Sequence, residues 1–110
     1  MRAAISAVLA ASLIALTLAP ALAGGDAAAG KRKAVPCQPC HGVDGLSKLP
    51  IAPNLAGQPV DYLVKALGDF KSGTRTNEMM SLVVPNLSDQ DIADLAAWYS
   101  SIKVSVSMPE

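Results

Sequence analysis

The stretch Cys37-Gln38-Pro39-Cys40-His41 contains both cysteines and the single histidine of a 110-residue chain. Two residues separate the cysteines, and the histidine follows the second cysteine directly. Because the three side chains belong to one short stretch, they lie close together in any fold. A domain of this size buries only a small core, so we expect something larger than a short disulfide loop to fill it.

This spacing is typical of a covalent attachment site for one haem c. Two intervening residues let the sulfurs of Cys37 and Cys40 reach the two vinyl groups of the haem. A histidine directly after the second cysteine then lies beneath the iron. We therefore predict thioether bonds from both cysteines and axial ligation of the iron by His41.

Other kinds of site also use closely spaced cysteines. A thioredoxin-like redox pair begins a helix in a βαβ unit, and the sequence shows no such strands. A structural zinc site needs four ligands, whereas this chain offers 2 Cys and 1 His. A plain disulfide remains open, although so short a loop stabilises a fold very little.

The first 23 residues have the pattern of an export signal. Arg2 precedes an apolar run over residues 3–18, and Ala21-Leu22-Ala23 fits a small-x-small cleavage site. An uncleaved membrane anchor is the alternative, but the run is barely as long as the about 20 apolar residues that a span needs. We predict a cleaved signal peptide over 1–23, a single domain over 24–110 without a membrane span, and a periplasmic location.

The charges are balanced, with 9 basic and 9 acidic side chains. A protein with this balance has no basic footprint for nucleic acid, so nucleic-acid binding is not expected. Three consecutive cations, at 31–33, lie at the end of a predicted helix. They are interpreted either as a solvated helix end or as a docking patch for an acidic partner.

The apolar pattern predicts an all-α domain with three helices, over 27–34, 59–72 and 88–102, separated by loops at 42–58 and 74–87. Asp26 and Ser88 are suitable N-caps, and Gly73 is a natural helix end. Two apolar faces are expected to be buried: Tyr62, Leu63, Ala66, Leu67 and Phe70 in the second helix, and Ile92, Leu95, Ala96 and Tyr99 in the third.

Methionine is the main candidate for the second axial ligand of the iron, because the chain has no second histidine. Met79 and Met80 lie in the loop between the last two helices, and Met108 lies in the tail. The usual alternative role of a methionine is to fill gaps in the core. The residues alone leave the neighbouring pair undecided.

The chain resembles the small bacterial class I cytochromes c, including single halves of the dihaem periplasmic members. The matching stretches follow the family's order and cover nearly all of residues 24–110. They are Cys37–Gly42, Pro53–Gln58, Tyr62-Leu63, Phe70–Gly73, Met79-Met80, and Leu87–Asp89 through Trp98-Tyr99.

The resemblance implies a class I cytochrome c fold, in which three to four helices pack around the covalently bound haem and the first and last helices cross. It assigns Met80, rather than Met79, as the iron ligand opposite His41. It also implies that the carbonyl of Pro53 binds the ring nitrogen of His41. One departure from the family pattern is the apolar character of residues 80–85.

A closed His/Met iron implies an electron carrier rather than an enzyme. Its partners would be redox proteins that donate and accept the electron, and the chain would be a monomer or part of a small complex. One alternative is a cytochrome subunit of a periplasmic oxidoreductase complex. Another is a haem enzyme or sensor in which a labile methionine leaves the iron open.

Overall fold

The computed structural model describes residues 24–110, so the predicted signal peptide lies outside the described residues. All regular structure in this range is helical, as predicted. The elements are α1 (Ala27–Lys33), a 3-10 turn (Val35–Cys37), α2 (Gln38–His41), α3 (Val60–Ser72), α4 (Met80–Val83) and α5 (Asp89–Ser101). Between residues 24 and 110, no helix has both the length and the apolar character needed to cross a membrane.

Local capping signals explain where the three longer helices begin and end. The Asp26 carboxylate accepts the first free N–H groups of α1, and Ser88 forms a reciprocal capping box with Asp91 at the start of α5. Gly73 ends α3 in the left-handed region, at φ 82°. Pro59 precedes α3 as its N-cap instead of being its first residue.

The core forms where α5 packs against both α1 and α3. The predicted stripe of α5 is confirmed, because Ile92, Leu95, Ala96 and Tyr99 are all buried. In α3, Leu63 and Phe70 are buried, but Tyr62 is 50% exposed, contrary to the prediction. Leu63 and Phe70 are two helical turns apart and share a line, whereas Tyr62 is rotated from it by about 100°.

The contact between α1 and α5 is close enough to require glycine. A Cβ atom added at Gly30 would lie 1.9 Å from the carbonyl oxygen of Asp94 and 2.8 Å from Cβ of Trp98. The two backbones therefore approach each other directly at this point. Gly30 is buried in the contact, so the side-chain-free surface of α1 faces α5.

A buried carboxylate reinforces the same contact. Asp94 is 3% exposed and accepts hydrogen bonds from the Asp26 backbone N–H and the Gln90 amide, each at 2.8 Å. Lys33 Nζ lies 2.6 Å from Asp94 and 2.8 Å from Asp91. The Lys33 ammonium lowers the pKa of both carboxyls to about 2, so both stay ionised at neutral pH.

Two of the three cations at the end of α1 have partners on α5. Lys33 binds the two carboxylates, and the Lys31 ammonium lies 5.3 Å from the centre of the Trp98 ring. Arg32 is exposed. Neither hypothesis for this cluster anticipated that its lysines connect two helices.

We expect Gly30→Ala to lower the free energy of unfolding by about 1–3 kcal/mol, the usual cost of an overpacked contact. The matched control is Gly68→Ala within α3, where an added Cβ meets nothing within 4 Å. That control should raise the free energy of unfolding by about 0.4–1 kcal/mol, because alanine reduces the freedom of the unfolded chain. Chemical denaturation of the purified variants measures both, and equal effects would contradict a direct contact between α1 and α5.

The carboxylates that hold Lys33 should make stability depend on pH. Their folded pKa of about 2 lies below the ordinary value of 3.8, so their contribution is complete above the ordinary value and disappears as pH falls toward about 2. The difference in melting temperature between the protein and Asp94→Asn should therefore be large at pH 6 and shrink between about pH 4 and pH 2. Glu110→Gln, at an exposed tail position, is the control and should show little difference at any pH.

Candidate haem site

Backbone hydrogen bonds continue without a break from α1 into the stretch Cys37–His41. The Ala34 N–H donates to Gly30 at 2.9 Å, and the carbonyl of Ala34 accepts the N–H of Cys37 at 2.8 Å. The Gly42 N–H then donates to Gln38 at 2.9 Å. Because each turn begins where the last one ends, the position of α1 fixes the position of the whole motif.

The two thiols are free and partly buried. Of the two cysteines, Cys37 packs against the core cluster that includes Tyr99. Burial raises the pKa of the Cys37 thiol, so it stays protonated at neutral pH. Reactive redox cysteines have a lowered pKa, and the Cys37 thiol differs from them in this respect.

The imidazole of His41 is 6% exposed and has a defined orientation. Its Nδ1 lies 2.8 Å from the carbonyl oxygen of Pro53, which is the contact that the resemblance implies. A carbonyl oxygen can only accept, so Nδ1 carries the proton and the neutral ring has its lone pair on Nε2. That lone pair is the one needed to bind a metal, and the hydrogen bond at Nδ1 increases its basicity.

The loop at 42–58 holds Pro53 in place through its own hydrogen bonds. The carbonyl of Gly45 accepts the N–H groups of Leu55 at 2.7 Å and Ala56 at 3.0 Å. The Asn54 side chain accepts the N–H of Ser47 at 2.7 Å. Sequence analysis missed this role of Asn54, although an Asn directly after a loop proline is a common turn residue.

The methionine pair lies at the start of α4, within a segment predicted to be a loop. A four-residue helix is too short to show an apolar period, so the pattern gave no sign of it. The signal that was missed is Asn77, whose side-chain oxygen accepts the N–H groups of Met79 at 3.0 Å and Met80 at 3.1 Å. The Asn77 N–H in turn donates to the Ser81 hydroxyl at 3.0 Å, so Asn77 and Ser81 cap the start of the turn reciprocally.

The structure distinguishes the candidate methionines by their surroundings. Met79 is 52% exposed and Met108 is 83% exposed, whereas Met80 is partly buried. Neighbouring residues on a helical turn point about 100° apart. The side chains of Met79 and Met80 therefore cannot both face the interior, and Met80 has the inner position.

These residues fit a covalently bound haem c. Two free thiols, an imidazole with its lone pair on Nε2 and a partly buried thioether form the donor set that such a haem requires. The loop after His41 and the turn after Met80 also carry exposed apolar side chains suited to a flat apolar ring: Leu46, Leu49, Ile51 and Leu82. Nowhere in residues 24–110 do three His, Cys, Asp or Glu side chains form a group that could hold a metal ion.

Comparison with known proteins identifies the family of this chain. The family model described as Cytochrome c matches residues 27–103. Cytochrome c4 of Pseudomonas aeruginosa is 52% identical over 88 residues, which make up 80% of this chain and 44% of that protein. Cytochrome c-554(548) of Halomonas halodenitrificans is 48% identical over 80 residues, covering 70% of this chain and 96% of that protein.

The fold is also that of a solved relative. The crystal structure of reduced recombinant cytochrome c4 from Pseudomonas stutzeri superposes with a TM-score of 0.69 at 46% identity, covering 74% of this chain and 48% of that chain. The chain thus spans about half the length of the cytochrome c4 relatives that it matches. The predicted class I cytochrome c fold is confirmed, and the chain belongs to the cytochrome c family.

Proposed function

We propose that this chain carries single electrons on one covalently attached haem c. Cys37 and Cys40 would hold the haem through thioether bonds, and His41 and Met80 would be the residues that bind its iron. The observation that carries the proposal is the buried imidazole of His41, whose Nδ1–H is bound to Pro53 so that its Nε2 lone pair is available. This is the arrangement of a metal-binding histidine with a supporting hydrogen bond.

When bound, the haem supplies an iron that changes between Fe(III) and Fe(II). The chain's own residues keep the ligands in place during that change, because the Pro53 carbonyl fixes the ring of His41 and Asn77 fixes the turn of Met80. A thioether ligand favours Fe(II) and raises the reduction potential. With both His41 and Met80 bound to the iron, no position would be left for a substrate, so the chain would act as a carrier and not as an enzyme.

The proposed location and partners follow from the same chemistry. We infer that residues 1–23 direct export to the periplasm and are removed, leaving residues 24–110 as the working domain. The partners are redox proteins that donate and accept one electron. Such partners meet through small interfaces that allow rapid dissociation, which suits a monomer or a small complex.

The central test compares two neighbouring methionines in haem-loaded protein. Met80→Ala should abolish the six-coordinate, low-spin His/Met spectrum in both oxidation states, because it removes the thioether from the iron. Met79→Ala is the matched control and should leave the spectrum unchanged, because Met79 is 52% exposed. Redox-dependent visible spectroscopy measures both. The opposite result would assign the ligand to Met79, and a colourless unmodified protein would contradict the proposed function.

The cap on the turn of Met80 should also affect the iron. Asn77→Ala leaves the N–H groups of Met79 and Met80 without their acceptor, at a cost of about 1 kcal/mol for a lost cap. If that cost weakens the Met80 ligand, added imidazole should bind the oxidised iron about fivefold more tightly.

Asn86→Ala, at an exposed position after α4, is the control for the cap. Spectral titration with imidazole should give this variant the affinity of the unmodified protein. An Asn77→Ala affinity equal to that of the control would show that the cap does not support the ligand.

A further inference from the structure

The hydroxyl group of Tyr99 is unusual within the core. Tyr99 is 3% exposed, and its hydroxyl is the one buried side-chain polar atom among residues 24–110 that lacks a hydrogen-bond partner. Leaving such a group buried and unpaired lowers the stability of the folded state, whereas phenylalanine would fill the same space without that cost. The hydroxyl therefore needs an explanation that the packing of α5 does not provide.

A sulfur-bearing side chain, that of Cys37, packs against the buried cluster that contains Tyr99. The two side chains are close enough for each to influence the pKa of the other, although no hydrogen bond of normal geometry joins them. Burial raises the pKa of Tyr99 well above its ordinary value, so its O–H keeps the proton at any physiological pH.

Haem attachment changes which of these two groups can donate. A thiol is both a weak donor and a weak acceptor. In attachment, the S–H bond of Cys37 adds across a vinyl C=C bond: sulfur bonds to one carbon, hydrogen bonds to the other, and no electron is gained or lost. The thioether sulfur then retains lone pairs but no hydrogen, so Tyr99 becomes the one possible donor of the pair.

We propose that Tyr99 is a positioning residue whose hydroxyl donates a hydrogen bond to the thioether sulfur of Cys37. This inference rests on the proposed function, because it requires the covalent haem. The partly positive hydrogen of the Tyr99 hydroxyl would lie near the edge of the haem, where it would stabilise the additional electron of the reduced state. It would also hold one of the two thioether links against α5, on the side of the haem that Cys37 anchors.

The test uses haem-loaded protein with Tyr99→Phe, which removes only the hydroxyl. Tyr62→Phe on α3 is the matched control, because Tyr62 is 50% exposed. Two quantities are measured: the midpoint potential, and the vibrational frequencies of the two thioether C–S bonds by resonance Raman spectroscopy. Tyr99→Phe should lower the potential and shift the band of one C–S bond while leaving the other in place. Tyr62→Phe should change neither quantity.

Solvent isotope exchange on the unmodified protein gives a second measurement that needs no variant. Replacing O–H by O–D in D2O should shift one of the two C–S bands, with the Cys40 thioether as the internal reference. This measurement decides the matter even where Tyr99→Phe fails to fold.

The outcomes separate this inference from the proposed function. Unchanged C–S bands in D2O or in Tyr99→Phe would overturn the inference, including the case in which the potential alone moves or the variant simply becomes more stable. The low-spin His/Met spectrum would remain in each of those cases, so the proposed function would survive. Absence of covalent haem from the unmodified protein would overturn both.

Discussion

The direct backbone contact between α1 and α5 at Gly30 is the constraint on which the rest of the structure depends. It leaves no space for a side chain, since an added Cβ would lie 1.9 Å from the Asp94 carbonyl. Backbone hydrogen bonds then continue from Gly30 through Ala34 to Cys37. A shift of α1 along α5 would therefore move both cysteines and His41 by the same amount. The contact between α1 and α5 at Gly30 therefore sets the positions of the side chains in the site.

The last helix, α5, supports the site from more than one direction. Its Asp94 binds Lys33 and the start of α1, while the carbonyl of Tyr99 accepts the N–H of Gly57 at 2.9 Å, at the end of the loop that carries Pro53. The side chain of Tyr99 meanwhile packs with Cys37 in the core. The same helix, α5, therefore holds both the attachment site and the loop that orients the imidazole of His41. An electron carrier benefits from this, because ligands that do not move between oxidation states keep the rearrangement on electron transfer small.

Sequence analysis succeeded where the signals were local. The caps at Asp26 and Ser88 and the helix end at Gly73 each depend on one residue and its nearest neighbours. It could not predict the burial of Asp94, because that carboxylate is buried through partners 61 and 68 residues away in the chain. The α4 turn was missed although its capping is local, because four residues are too few to show a periodic pattern. Choosing between Met79 and Met80 required either the family resemblance or the difference in their exposure.

The two proposed iron ligands are held very differently, and this difference has a consequence for dynamics. His41 is buried, its ring has a hydrogen bond of 2.8 Å, and its backbone continues the hydrogen bonds from α1. Met80 is only partly buried, and its turn is held by the Asn77 cap on the exposed side and by the buried Val84, whose N–H donates to the Met80 carbonyl at 3.1 Å. Segments with few buried contacts and exposed backbone hydrogen bonds open at lower free energy than the core. Local opening of the iron site should therefore begin on the Met80 side while His41 stays bound, which makes the capped turn at Asn77 the element that decides how closed the iron remains.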